Sequence, residues 1–466
     1  MTSCIITFQG DLKSVMKNTK AAWKKFAGSK NIKEMFNNIP WGFIEILAAI
    51  PAVLFIIGEV QRLINLLFGD FERYDSIILT IHQYTGYLGI AVWILFLGKK
   101  MAEGSLKSLK NNYPMIFFTI MVILMLASTW KNGFTEYAKH GYPDFMISLF
   151  VYIMYPMAFF FLSSLIKKVN IKKIIVLSFL SFSIVVSLVS IINYYILSGN
   201  INAEPLLLNS DLADKVRGLF YNSNHYGYYL TISIMLCNMV FISEKNPLIK
   251  ALAMFGFIVN NFTLIINNTL GAYLACACGL IFSAAVLLIK NKKINYLSLL
   301  TIVIFILITV ITRFWFDTIT TSLITFGSDV KKVVKNTEDS GSAGTGRWRI
   351  WKFVMEKIKT NLLLGYGTEG ITDELISQLH VIQAHNETMH YAASYGIPAA
   401  VSYVLAIFSV FVHGYKNRKH LDTYTLASLT AAFGYYVSSC FGNVKFYTAP
   451  LFFIFLGLGY GIKKEK

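Results

Sequence analysis

Twelve apolar stretches of roughly membrane-spanning length follow one another along the chain, at about 41–67, 76–98, 113–130, 143–166, 171–197, 225–242, 247–266, 268–289, 294–316, 387–412, 421–440 and 444–462. Most are divided by short polar segments, and only Asn267 and Asn268 part the seventh from the eighth. Asp317–His385, between the ninth and the tenth, breaks the rhythm with about seventy largely polar residues. Lipid cannot satisfy open strand edges, so each stretch is expected to be a helix. The pattern predicts an all-α polytopic membrane protein with about twelve transmembrane helices and a long loop, itself containing helices, between the ninth and tenth.

Composition agrees. A hydrophobic fraction of 55% with 14% charged residues is too apolar for a soluble chain of this length. Aromatics reach 15%, and Tyr and Trp favour membrane interfaces. The formal charge of +17 does not point to nucleic acid, because the lysines lie in short clusters between apolar runs. With both termini inside, the cytoplasmic segments carry 26 Lys and Arg and the short external ones seven. That topology puts 198–224 and the long loop on the external face. ATP and nucleotide sugars are cytoplasmic, so chemistry there needs another energy source. The chain divides into a basic cytoplasmic segment (1–40), nine spans (41–316), the external loop (317–386) and three spans with a basic tail (387–466).

Within 11–36, Leu12, Val15, Met16, Thr19, Trp23 and Phe26 recur at helical spacing among lysines, as in a basic helix lying on the inner leaflet, with a disordered basic tail as the alternative. The first forty residues are too polar for a signal peptide, so the first span is expected to act as its own signal. The five cysteines show no repeated CxxC spacing and imply neither a zinc site nor a disulfide framework. No internal repeat argues for a transporter built from matched halves.

Three segments on the external side could carry chemistry. In Lys215–His225, Arg217 stands beside Gly218, with Asn222 and Asn224 following, a set able to fork phosphate oxygens. An interfacial arginine reaching lipid headgroups is the plainer reading. In Gly341–Arg349, glycines and Ser/Thr precede a helical pattern with Trp348, Ile350, Trp351, Val354 and Ile358 on one face. A helix start of that kind suits an anion, and Trp348 with Arg349 could stack on a sugar. An amphipathic helix resting on the membrane would look the same. No Gly-Lys-Ser/Thr follows, so it is not a P-loop. The third segment is His385-Asn386-Glu387, where a histidine could accept a proton from a sugar hydroxyl near neutral pH. His390 lies five residues on, but Glu387 does not directly follow His385, so the stretch does not complete a His-Glu-x-x-His zinc site.

These residues resemble the O-antigen ligase and Wzy-type polymerase superfamily of bacterial envelope glycan enzymes. The resemblance lies in Arg217-Gly218 with Asn222-Ser223-Asn224, in Arg347 and Trp351 followed by Asn361 to Gly367, and in His385-Asn386 with Gly396 after a nine-residue gap. Two positions depart from the family pattern. Asn268-Thr269-Leu270-Gly271-Ala272 stands where many members carry Ser-Arg-Gly, and Asn361-Leu362 replaces the usual Asn-Pro.

The resemblance implies a GT-C-like, metal-independent glycosyltransferase without cofactor, using an undecaprenyl-diphosphate-linked glycan donor at the external face of the bacterial cytoplasmic membrane. His385 would be the base, Arg217 and Arg347 would bind the diphosphate, and Asn224, Trp348, Arg349, Asn386 and Glu387 would bind or orient the glycan. A second lipid-linked repeat as acceptor makes it a polymerase for capsule, exopolysaccharide or O-antigen, with chain-length regulator and flippase partners expected. Another acceptor makes it a ligase of the O-antigen or teichoic-acid type. The rival from a different class is a lipid-linked glycan flippase or anion transporter, which should place charges at the bilayer midplane; here the polar residues gather at the external edge.

Overall fold

A computed structural model describes residues 112–142, 147–165, 169–203, 216–218, 220, 222–312, 318–335, 341–443 and 448–461, with scattered positions between 21 and 94. Apart from a few isolated helical positions, the first two expected spans lie outside the described residues, as do Leu12 to Thr19 of the basic segment and Lys215. Trp23 and Phe26, from the same segment, do meet edge to face at 5.4 Å.

The described residues are helical and contain no strand. Helices α1 (Tyr113–Lys131), α2 (Glu136–His140), α3 (Leu149–Leu165), α4 (Val169–Leu197), α5 (Ser223–Ser243), α6 (Pro247–Asn267), α7 (Leu270–Asn291) and α8 (Tyr296–Thr312) cover the third to ninth expected spans. After the loop come α12 (Glu387–Tyr395), α13 (Ile397–Lys416), α14 (Thr423–Ser439) and α15 (Ala449–Tyr460). Six of these are long and apolar enough to cross a membrane: α1, α4, α5, α6, α7 and α13.

Their starts follow from local chemistry. Asn222, Asn246 and Asp422 each accept from amides of the turn that follows, supplying partners that the first N–H groups of a helix lack. Pro247 adds a ring already set for the first turn.

Burial differs sharply among them. Helix α5 is buried almost throughout and packs against α6, α7 and α14, as expected of a helix apolar on every side. Helix α8 instead turns Leu299, Val303, Ile306, Leu307 and Val310 outward, each about half exposed, as a lipid-facing helix would. At the other end of the bundle, fully buried Lys172 of α4 donates to Asp422, Thr425 and the Gly461 carbonyl, tying α4 to α14 and the end of α15.

The tenth span is not one helix. It breaks at Gly396 into α12 and α13, because Gly396 has φ +88° and Pro398 opens the new helix. A second strand of backbone fills the break: Tyr366 N–H donates to Ala393 O (3.0 Å), Gly367 N–H to Ser394 O (2.8 Å) and Ile397 N–H to Leu362 O (2.8 Å). A Cβ on Gly365 or Gly396 would overlap the opposing backbone. The Asn361–Gly367 motif and the glycine of the His-Asn-x9-Gly motif are thus two sides of one close junction.

The long polar segment folds into α9 (Thr318–Val334), α10 (Arg347–Thr360) and α11 (Thr372–Leu379). It has a small core of its own, in which Ile350, Val354, Ile371, Leu375, Ala384 and Ala393 pack together.

Candidate active site

Arg347 and His385, 38 positions apart in sequence, come together against the turn after α14. Arg347 is the first residue of α10. Its Nε donates to Phe441 O (3.1 Å), and Nη1 donates to Gly344 O (3.1 Å) and Thr345 Oγ1 (2.8 Å). Among the described residues Nη2 has no partner, so one edge of a fixed guanidinium remains to bind an oxyanion. The backbone of His385 is left-handed, at φ +51°, and its N–H donates to Asn443 Oδ1 (3.0 Å). Burial, and then the nearby Arg347 charge, lower its imidazole pKa from 6.5 to about 4. The sequence pattern leads one to expect a histidine titrating near neutrality; this setting favours the uncharged imidazole instead.

Beside Arg347 opens an apolar cavity of about 230 Å³, bounded by Leu270 and Gly271 of α7, Phe326 of α9, Trp348 and Trp351 of α10, and Phe441. The indole N–H groups of Trp348 and Trp351 are buried and find no acceptor among the described residues. Leu270, where many relatives of the resembled family carry arginine, contributes an apolar wall to it.

The start of α10 does not offer its backbone to an anion, contrary to the sequence-based expectation. Gly344 N–H already donates to the Asp329 carboxylate (2.9 Å), and the amides of Gly346, Arg347 and Trp348 donate to Ser342, Gly344 and Ala343 carbonyls. With those donors spent and an acidic side chain alongside, it is the Arg347 side chain that still has a donor edge to offer at this helix start.

The Arg217 segment is fastened to the corner between α6 and α7. Asn267 Nδ2 donates to Val216 O (2.6 Å) and Ser223 O (3.0 Å), and Thr269 donates to Ser223 O (3.1 Å). That corner leads directly into Leu270 and Gly271 of the cavity wall, which places Arg217 on the α7 side of the same region. Its side chain has no partner among the described residues.

The other candidates divide. Asn224, half-buried, lies in the first turn of α5, its N–H capped by Asn222. Trp348 lines the cavity, whereas Arg349 points into solvent. Both ends of the Asn386 amide are occupied: Oδ1 caps α12 through Met389 N–H (3.0 Å), and Nδ2 donates to Cys440 O (3.0 Å). Glu387 is buried and accepts from Tyr435 (2.7 Å) and Tyr403 (3.1 Å), facing the bundle instead of the cavity.

One buried polar group escaped sequence reasoning. Glu369 accepts from Tyr152 (2.8 Å), Gln383 (3.1 Å) and Thr372 (2.8 Å) and lies 3.4 Å from His390 Nε2. Burial alone pushes its pKa up, but His390 and the hydrogen bonds hold it below the ordinary carboxylate value. The cluster fastens the loop to α3 and α12.

The described residues form a helical bundle, consistent with a polytopic membrane protein, whose folded polar loop sets Arg347 at an apolar cavity and within electrostatic reach of His385. Residues 251–404 match the family model described as O-Antigen ligase, which supports the O-antigen ligase and Wzy-type polymerase superfamily for this chain and a function of that general type. The match takes in Arg347, His385 and the junction at Gly396, and stops short of Arg217 and the turn after α14. No curated protein matches the chain.

Proposed function

We propose that this protein is a polysaccharide polymerase that joins undecaprenyl-diphosphate-linked oligosaccharide repeats on the external face of a bacterial cytoplasmic membrane, with both termini inside. One observation carries the reading: a fixed arginine with a free edge lines an apolar cavity, and its charge reaches the histidine of the neighbouring segment. A lipid-diphosphate sugar brings its own activated bond and an apolar tail, so that pairing matches its chemistry. The acceptor hydroxyl oxygen attacks the anomeric carbon. The bond from that carbon to the phosphate oxygen breaks, and the diphosphate leaves with the electron pair. His385 accepts the hydroxyl proton, and Arg347, with Arg217 from the α7 side, stabilises the charge that develops on the leaving group. No metal or cofactor enters this scheme.

A ligase is the second reading, favoured by the description of the matching family. Purified protein in detergent with synthetic lipid-linked repeats separates the two. A ladder of longer lipid-linked glycans is expected. Transfer only when lipid A core, teichoic acid or a protein is added would make it a ligase. No transfer to any acceptor would overturn both. In cells, loss of the protein should leave single repeats on the outer face; accumulation on the inner face would indicate a flippase.

A further inference from the structure

The turn after α14 carries no recognisable motif, yet three of its four residues bond to Asn386, Arg347 and the His385 backbone. Cys440 O accepts from Asn386, Phe441 O from Arg347 Nε, and Asn443 Oδ1 from the His385 amide. Between them Gly442 crosses the Tyr228 hydroxyl of the central helix α5, so closely that any Cβ there would overlap it. We infer that Cys440–Asn443 is the positioning segment of the site, in which Asn443 sets His385 and Gly442 lets the segment seat on α5. The inference rests on the assignment of Arg347 and His385 as the transferring pair.

The physical case is one of distance and strain. Arg347 opens α10 and His385 lies between α11 and α12, and both are bonded to this one turn. His385 holds a left-handed conformation unfavourable to a side chain with a Cβ, and such a conformation persists only when its surroundings enforce it. The enforcement comes from two bonds: Asn443 takes the His385 N–H, and Asn386, fixed to Cys440 O, caps the following helix. The almost wholly buried helix α5 thus sets the turn, and the turn sets the pair. A shift of about 1 Å in such a pair costs on the order of a hundredfold in rate.

The test compares Asn443→Ala, Asn443→Asp and Gly442→Ala in purified full-length protein. Turnover is followed by chain lengthening across pH, and undecaprenyl diphosphate binding by tryptophan fluorescence. Asn443→Ala should lower kcat by about ten- to a hundredfold while donor KM stays within about twofold. Its acid limb should rise from near pH 4 towards 6.5, because His385 leaves the buried setting beside Arg347, the charged neighbour that acts on it. Asn443→Asp restores the acceptor oxygen and should recover most turnover above neutrality, with the acid limb raised by the added carboxylate. Gly442→Ala moves Phe441 and Asn443 together and should weaken both turnover and binding. A wild-type kcat and acid limb in Asn443→Ala would overturn the inference. So would a loss that follows melting temperature alone, with Asp no better than Ala. Full activity in Arg347→Ala or His385→Ala would instead sink the functional reading.

Discussion

His385 and His390 stand five residues apart in one short stretch, and their surroundings are opposites. His390 is buried, stacked on Tyr152, and shares a hydrogen-bonded cluster with Glu369, Gln383 and Thr372, in which only its Nδ1 and Gln383 Oε1 find no partner among the described residues. His385 is partly exposed, strained in its backbone, and its imidazole makes no hydrogen bond among the described residues. Buried polar groups are normally hydrogen-bonded, and a ring bonded to partners on several elements, as His390 is to Tyr152 and Glu369, helps hold a fold together. A polar group left with spare capacity beside a fixed cation can still meet a ligand, and burial and that cation keep it in its neutral form. Histidine as a residue type does not distinguish the two roles; their hydrogen-bond partners do.

The comparison can be pressed hardest at the reacting pair. Arg347→Ala should abolish polymer formation, about a hundred- to a thousandfold or more, and Lys should rescue poorly because a point charge cannot replace the fork. His385→Ala should cost roughly two to four orders of magnitude in turnover while undecaprenyl diphosphate still binds. A single-turnover assay beside a binding titration checks both, and full activity in either variant removes that residue from the scheme.

The His390 side should break differently. Glu369→Gln or His390→Phe should cost about 3–5 kcal/mol of stability if a remaining charge is left buried and unpaired, read as lower melting temperature and membrane abundance. Tyr152→Phe removes only a hydroxyl and should cost about 1–2 kcal/mol. If these variants instead kept their stability and lost kcat alone, the assignment of roles would be reversed.

Acid offers a finer test. The folded pKa of His385 lies below its unfolded value, so the unfolded chain binds the extra proton first. His385 therefore draws stability down as pH falls from about 6.5 to about 4 and leaves it unchanged above that window. The folded pKa of Glu369 is also depressed, so its contribution is present above the unfolded carboxylate value and is lost further into acid. Melting curves in detergent should show His385→Ala removing the first decline and leaving the second. The smallest effect is expected at His380, exposed at the end of α11, whose substitution by Ala should leave turnover unchanged in the same assay.

The spans from α1 to α8 were legible because long apolar runs admit little besides helices. The break at Gly396 had a visible sign in Gly396-Ile397-Pro398, but the apolar run continued through it and masked it. Arg347 and His385 could be read from their setting in a polar loop. Asn386 and Glu387 could not be told apart from them, since capping and burial emerge only once α12 meets α13 and α14. Glu369, Tyr152, Gly442 and Asn443 left no signal, because their partners lie far away in sequence.

The junction at Gly396 also determines where this chain can drift over evolutionary time. Its contacts run from backbone to backbone, and the side chains of Leu362 (48% exposed) and Leu363 (72% exposed) point away from it. Residue identity at 362 and 363 is therefore nearly invisible to the fold, which explains how leucine can stand at 362 where proline is usual. Gly365 and Gly396 have no such latitude. In a library randomised over 361–367 and 396, survivors should vary freely at the two leucines and return glycine at the two crossings.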